Sequence, residues 1–227
     1  MKKRCIAVLL ALAMTGTLFG CGSSNTQKSD TTKKTERSDK ESVIVTMPTS
    51  SEPEAGFDPA YGWGAGEHVH EPLIQSTLTT TTKDLKIGKD LATDYSVSED
   101  GLVWTVKIRE DVKFTDGEKL TASDVAFTYN NCVKNSTVND FTMLKEAVAV
   151  DDTTVEFHMN KPFSIWPYTM AIVGIVPEHA YDENYGQHPI GSGRYILKQW
   201  DKGQQVIFEA NPDYYCLLYT SPSPRDS

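Results

Sequence analysis

LATDYSVSEDGLVWTVKIREDVKFTDGEKLTASDVAFTY, residues 91–129, decides the fold class. Tyr95-Ser96-Val97 reads as one strand and residues 102–108 as a second, joined through Ser98-Glu99-Asp100-Gly101. An Asp-Gly pair between such runs marks a hairpin, because glycine accepts the positive φ that a tight turn needs. In the second strand Trp104, Val106 and Ile108 share one face, and Thr105, Lys107 and Arg109 the other. Alternation of period two belongs to a strand buried on one side. Val112-Lys113-Phe114 predicts a further short strand, and Asp116-Gly117 turns the chain. Thr121-Ala122-Ser123-Asp124 then predicts a helix start, with Thr121 as N-cap and a carboxylate three residues on. Val125 and Tyr129 fall one turn apart on that helix.

Working outward, Val148 and Val150 alternate, Asp151-Asp152 turns, and Val155, Phe157 and Met159 alternate again, which predicts a second hairpin. Residues 162–171 predict a helix kinked or started by Pro167, and residues 177–181 a single helical turn. Gly191-Ser192-Gly193 leads into a strand at 195–197, and Asp201-Lys202-Gly203 precedes a strand at 205–209. On the other side, residues 43–47 form a β-branched strand stopped by Pro48. A loop follows, punctuated by Pro53, Gly56, Pro59, Gly62, Gly64 and Gly66 and carrying Phe57, Tyr61 and Trp63. Large aromatics on a glycine-rich loop suit a ligand-facing segment, or else plug the loop onto its own core. Strands and helices are mixed, with several hairpins and no internal repeat, so the class is α+β or α/β.

The 227 residues carry a formal net charge of −9, and the charge is uneven. Residues 43–215 hold 26 acidic against 13 basic side chains. A body this acidic repels phosphate backbones, which argues against a nucleic-acid partner, and it attracts cationic ligands. Hydrophobic residues make up 39%, and the shortfall lies in a polar stretch near the front, leaving a packed core possible behind it. Cys5, Cys21, Cys132 and Cys216 are too scattered for a disulfide framework or a zinc site.

Lys2-Lys3-Arg4 precedes the apolar run at 5–14. That run is shorter than the roughly 20 residues that span a bilayer, and it fits the core of an export signal. It ends Leu18-Phe19-Gly20-Cys21, which resembles the lipobox of bacterial lipoproteins, with Phe19 standing where a small residue is usual. The resemblance implies cleavage before Cys21 and its lipidation; the plainer reading is a secretory signal with an incidental cysteine. Two acyl chains give stable anchoring where one is marginal. Residues 22–42 contain no large apolar side chain and read as a disordered tether.

The ordered blocks carry a family likeness. LATDYSVSEDGL, WTVKIR, VKFTDG and LTASDV, between residues 91 and 125, resemble the signature of the bacterial extracellular solute-binding proteins of family 5. That family includes oligopeptide-, dipeptide- and nickel-binding lipoproteins. Pro189-Ile190-Gly191-Ser192-Gly193-Arg194-Tyr195 is similar to its PIGTGPY turn, and residues 209–215, EANPDYY, to its ANPDYW block. The likeness covers residues 43–215. It implies an α/β, periplasmic-binding-protein-like fold of type II, two-lobed and closing on its ligand by a hinge. Residues 43–71 and 186–215 would belong to the first lobe, and residues 72–185 to an inserted α+β subdomain built by the signature. The second lobe is expected to be missing, because residues 216–227, CLLYTSPSPRDS, resemble a translated adaptor tail and read as foreign.

The resemblance implies a substrate-binding lipoprotein of an ABC importer, not an enzyme, that captures oligopeptides or dipeptides outside the cytoplasmic membrane. Its partners are then a peptide or small solute, the permease subunits and the membrane through a lipid anchor, and the protein is expected to be a monomer. Two segments are the ligand-facing candidates, by position in the family pattern: Tyr61, Trp63, Gly64, His68 and His70 on the first, and Tyr168, Met170 and Gly174 on the second. In Glu67-His68-Val69-His70-Glu71, His-x-His sets two imidazoles on one face, which makes His68 and His70 the metal candidates. A solvated polar rim is the stronger reading, since no third ligand is identified, and neither a metal nor a cofactor is expected. No arginine lies between residues 163 and 177, where nickel-binding relatives hold a chelate. No Ser-His-Asp order, P-loop or G-x-G-x-x-G supplies catalytic equipment. The alternatives are import of nickel or another metal chelate, and peptide sensing for signalling.

Overall fold

The computed structural model describes residues 42–45, 56–61, 72–136 and 139–216. The leader, Cys21, the tether, the loop at 62–71 and the tail from 217 lie outside the described residues.

The hairpin read from residues 91–109 is present. Strand β4, Ala92–Val97, pairs antiparallel with β5, Val103–Ile108, through a turn in which Gly101 has φ 73°. Asp100 closes that turn by accepting hydrogen bonds from the Ser98 hydroxyl (2.6 Å) and the Leu102 N–H (3.0 Å). Trp104, Val106 and Ile108 face inward as their alternation requires. With β6, Leu144–Asp151, and β7, Thr154–Met159, these strands form a four-stranded antiparallel sheet in the order β4-β5-β7-β6.

Helix α1, Ala122–Asn135, covers one face of this sheet. Its start is fixed by Asp124, which accepts the Thr121 N–H (2.8 Å) and hydroxyl (3.0 Å). Its buried stripe places Tyr129 edge-on to Phe157, with ring centroids 4.7 Å apart, and beside Trp166 at 5.5 Å. Edge-to-face rings satisfy their quadrupoles while filling volume.

A smaller antiparallel sheet joins distant parts of the chain. Strand β1, Ser42–Val45, pairs with β9, Gln205–Ala210, which pairs with β8, Tyr195–Asp201; β2, Thr79–Thr81, and β3, Ile87–Lys89, form a separate ribbon. The smaller core under β8 and β9 is Phe57, Ile74, Val206 and Phe208, flanked by Tyr195, Leu197 and Trp200.

Residues 74–79 connect the two cores and are buried throughout. The Ile74 carbonyl accepts the Gly193 N–H (2.7 Å) and the Leu73 carbonyl the Tyr195 N–H (3.1 Å), while the Ser76 carbonyl accepts the Ile175 N–H (2.9 Å). Side chains complete the accounting that buried polar groups demand. Ser76 donates to the Ser192 carbonyl (3.0 Å) and Thr79 to the Pro167 carbonyl (2.7 Å). The chain therefore leaves the smaller core at Ile74 and enters the larger at Leu78.

Three expectations are corrected. Residues 112–114 make only a bridge, Lys113 to Lys119, closed by the bonds from the Phe114 N–H to the Glu118 carbonyl (2.9 Å) and from the Leu120 N–H to the Val112 carbonyl (3.0 Å), and the pairing stops there. Residues 162–171 yield only the four-residue helix α2, Trp166–Thr169, with Pro167 in its first turn. Val148 and Val150 point outward, Val150 at 57% exposure, while Leu144 and Ala147 carry the burial of β6. Register shifts at 144–146 and 149–151 re-aim this edge strand, which a strict alternation does not anticipate.

Candidate ligand-binding corner

Residues 56–61 form a turn at the junction of the two sheets, immediately before the glycine-rich loop. Phe57 anchors it, packing edge-on against Trp200 (5.2 Å) and Phe208 (5.8 Å), with its N–H donating to the Gly186 carbonyl (2.8 Å). The Phe57 carbonyl accepts from the Gln75 amide (2.9 Å), which also donates to the Tyr185 hydroxyl (3.1 Å). Tyr185 in turn donates to the Ile190 carbonyl (2.6 Å).

Asp58 is 4% exposed. One carboxylate oxygen accepts the Ala60 N–H (2.9 Å) and the other the Tyr181 hydroxyl (2.7 Å). The Tyr181 oxygen accepts from the Asn131 amide on α1 (2.7 Å), and the Asn131 carbonyl oxygen is held by the Asn135 amide (2.6 Å). Burial pushes the Asp58 carboxyl above the ordinary aspartate range, against the two hydrogen bonds that pull it down. Burial raises the Tyr181 and Tyr185 hydroxyls as well. Phe127, Tyr181 and Tyr185 form a row of rings 5.2 and 5.1 Å apart behind this network. The turn is thus rigidly seated, and it delivers Tyr61 at 40% exposure to the head of the loop.

The other candidates separate. Tyr168 is exposed at 48%, its hydroxyl donating to the Leu85 carbonyl (3.1 Å) at a hairpin tip where Leu85 has φ 59°. Met170 is 0% exposed and belongs to the larger core. Gly174 is buried where the chain crosses Gln75, and a methyl group there would press on the Gln75 Cβ at 2.5 Å. Trp63, Gly64, His68 and His70 lie outside the described residues. Asp58, Tyr181, Asn131 and Gln75 escaped the sequence reading: Asp58 and Tyr181 stand 123 residues apart, and no spacing rule links them.

Among the described residues no group of three His, Cys, Asp or Glu side chains is placed to hold a metal. His158 meets Glu156 (3.3 Å) and His179 meets Asp116 (2.7 Å) as isolated pairs. No helix among the described residues is long and apolar enough to cross a membrane. Asp58, Gln75 and Tyr185 are buried and bonded within the protein, so what the described part of the corner presents outward is chiefly the part-exposed ring of Tyr61 on a seated turn.

Comparison with known proteins agrees with this architecture. The profile of "Bacterial extracellular solute-binding proteins, family 5 Middle" matches residues 86–225. Protein XP55 of Streptomyces lividans is 34% identical over 187 residues, covering 77% of this chain and 33% of its own length. The oligopeptide-binding protein AppA of Bacillus subtilis is 29% identical over 225 residues, covering 92% of this chain and 41% of its own. The chain spans about a third to two fifths of the length of these curated relatives. Among solved structures, NikZ from Campylobacter jejuni in complex with Ni(L-His) superposes with a TM-score of 0.63 at 29% identity, over 75% of this chain and 37% of that one. AppA in complex with a nonapeptide gives 0.60 at 29% identity, over 73% and 36%. The fold is therefore that of a partial periplasmic binding protein, and the chain belongs to family 5 of the bacterial extracellular solute-binding proteins.

Proposed function

We propose that the whole protein is the substrate-binding subunit of an ABC importer and captures oligopeptides or dipeptides outside the cytoplasmic membrane. The observation that carries this reading is the family 5 fold, supported by the seated turn at residues 57–61 that leaves Tyr61 part-exposed. Peptides are held through backbone and termini, so preorganised polar groups and a few rings suffice, and side chains are left in watery pockets. Hinge closure by a second lobe then completes the site, and the permease receives the closed form. Residues 43–71 and 186–215 form the first lobe in this reading, and Cys21 carries the lipid anchor of a monomeric receptor.

Calorimetry on the gene product completed with its second lobe tests the substrate. Di- to nonapeptides should release heat, and Tyr61→Ala should weaken them by about tenfold, the loss of one well-placed aromatic contact. Heat from Ni(L-His) and none from any peptide would instead establish chelate import, the second reading favoured by the likeness to NikZ. Metabolic labelling with palmitate tests the anchor: label should enter the wild type and be lost in Cys21→Ala. Label retained in that variant would refute anchoring at Cys21.

A further inference from the structure

A cavity of about 540 Å³ lies against strand β8. Its size is that of a small-solute site. One wall is residues 197–200 with Lys202, and the other is residues 187–189. Residues 43–215 hold 26 acidic against 13 basic side chains, yet among the described residues no carboxylate lines this cavity. It is lined instead by the ammonium groups of Lys198 and Lys202, the His188 imidazole and the Gln187 amide.

The sequence builds these walls by local means. The ladder between β8 and β9 pairs Leu197 with Phe208 and then Gln199 with Ile207, so Lys198 is the extra residue of a bulge. A regular strand sends consecutive side chains to opposite faces, and a bulge at a sheet edge re-aims them. Strand β8 is the outer strand in the order β1-β9-β8, and its consecutive residues 197–200 all reach the cavity. Lys202 follows in the turn towards β9, with its Nζ 4.9 Å from the centroid of the Trp200 ring. Attraction to the indole face holds that ammonium in place. Trp200 packs edge-on to Phe57 (5.2 Å) against the smaller core, so the perch is firm. On the facing wall the 3₁₀ turn Tyr185–Gln187 ends at His188, whose N–H donates to the Tyr185 carbonyl (3.1 Å).

Two carboxylates of the same hairpin are engaged outside the lining. Asp201 accepts from the Gln199 amide (2.9 Å) and the Gln205 amide (2.8 Å). Glu209 pairs with Lys198, the two side chains 43% and 55% exposed. An ion pair that open is held weakly, so Lys198 exchanges Glu209 for another anion at little cost.

We infer that this cavity is an anion site that takes a single phosphate group, with Lys198 and Lys202 meeting its charge and Gln187 and His188 offering hydrogen bonds from the facing wall. A phosphate monoester brings about two negative charges and three acceptor oxygens, which answers two ammonium groups where a carboxylate answers one. The acidic field of the rest of the body opposes a long polyanion, so the site suits one phosphate on a small solute or a lipid headgroup and not a nucleic acid. Tyr61 does not line this cavity, and the inference stands apart from the peptide reading.

The test uses the gene product completed with its second lobe, labelled with ¹⁵N at tryptophan and carrying Cys21→Ala to remove an anchor as a route to lipid. Glycerol 3-phosphate and inorganic phosphate are the soluble probes, and glycerol is the uncharged control. The Trp200 indole N–H resonance, assigned by its loss in Trp200→Phe, should shift saturably with glycerol 3-phosphate, with a dissociation constant on the order of 0.1–1 mM, the scale of two exposed charge-assisted contacts. Lys198→Ala and Lys202→Ala should each raise that constant about fivefold to tenfold, and Lys202→Arg by less than about threefold. Both lysines are exposed, so these variants should keep the wild-type thermal midpoint. Cosedimentation with vesicles of phosphatidylglycerol, against phosphatidylcholine, separates the sources. A response to the soluble phosphates assigns the site to solutes; a response to phosphatidylglycerol alone, abolished by Lys198→Ala and Lys202→Ala together, assigns it to lipid headgroups. No saturable response to any phosphate, a response to glycerol of equal size, or binding that survives the double variant would overturn the inference.

Discussion

Two glycines show how a motif becomes geometry. A methyl group at Gly191 or Gly193 would overlap the Ile74 backbone carbonyl, so the turn that looks like the family's PIGTGPY is small where the buried connector passes. Asn211, in the ANPDYY block, donates to the Gly193 carbonyl (2.8 Å) and so locks the two blocks together. Gly191→Ala should therefore cost about 2 kcal/mol or more, read as a lower urea midpoint, because the close approach is to backbone that cannot yield. Burial pushes the Cys132 thiol up to about 12, so it stays protonated at neutral pH. Iodoacetamide at pH 7.5 should leave Cys132 unmodified in the folded chain and alkylate it in urea, as peptide mass spectrometry will report. Labelling of the folded protein at wild-type stability would contradict the burial of that side chain.

At the level of elements, legibility followed local chemistry. The β4–β5 hairpin was readable because Asp100-Gly101 and the Trp104, Val106, Ile108 alternation act within a few residues of each other. The start of α1 was readable for the same reason, since Thr121 and Asp124 complete their bonds within one turn. What the pattern could not carry is the second use of Asp124, whose other oxygen accepts the Glu178 N–H (3.0 Å) from the 3₁₀ turn Glu178–Ala180. Asp124→Ala should thus cost more than an ordinary cap, about 2–3 kcal/mol by chemical denaturation, because it orphans donors on two elements. Strand β6 failed for the opposite reason. Its valines look like core residues, yet its shifts of register turn them to solvent. Val150→Thr should change stability by no more than about 0.5 kcal/mol, whereas Val155→Ala on the neighbouring strand should cost about 2 kcal/mol.

Across the whole molecule, the family blocks were legible and the corner at residues 56–61 was not. The blocks repeat short-range solutions, but the corner is assembled from Asp58, Gln75, Asn131 and Tyr181, which meet only after the two cores have docked. The docking is closed at the far end by Tyr215, whose hydroxyl donates to Asp90 (2.6 Å) while Arg109 stacks on its ring at 4.6 Å. Arg109 is itself held by Asp111 through bonds of 2.8 and 2.7 Å. Tyr215→Ala should lower the thermal midpoint by several degrees, about 1–2 kcal/mol for a half-buried, hydrogen-bonded ring, without altering far-UV circular dichroism.

Among the described residues strand β1 pairs only with β9, with Val45 opposite Val206. Strand β1 is therefore held waiting while nearly everything between is synthesised and folded. Closing so long a loop is slow, whereas the hairpins of the larger sheet close locally. Pulse-labelled refolding should accordingly protect β5 and β7 early and β1 late. A folding chain would pass through an interval in which its larger half is built and its smaller half still lacks an edge, open to pairing with another strand.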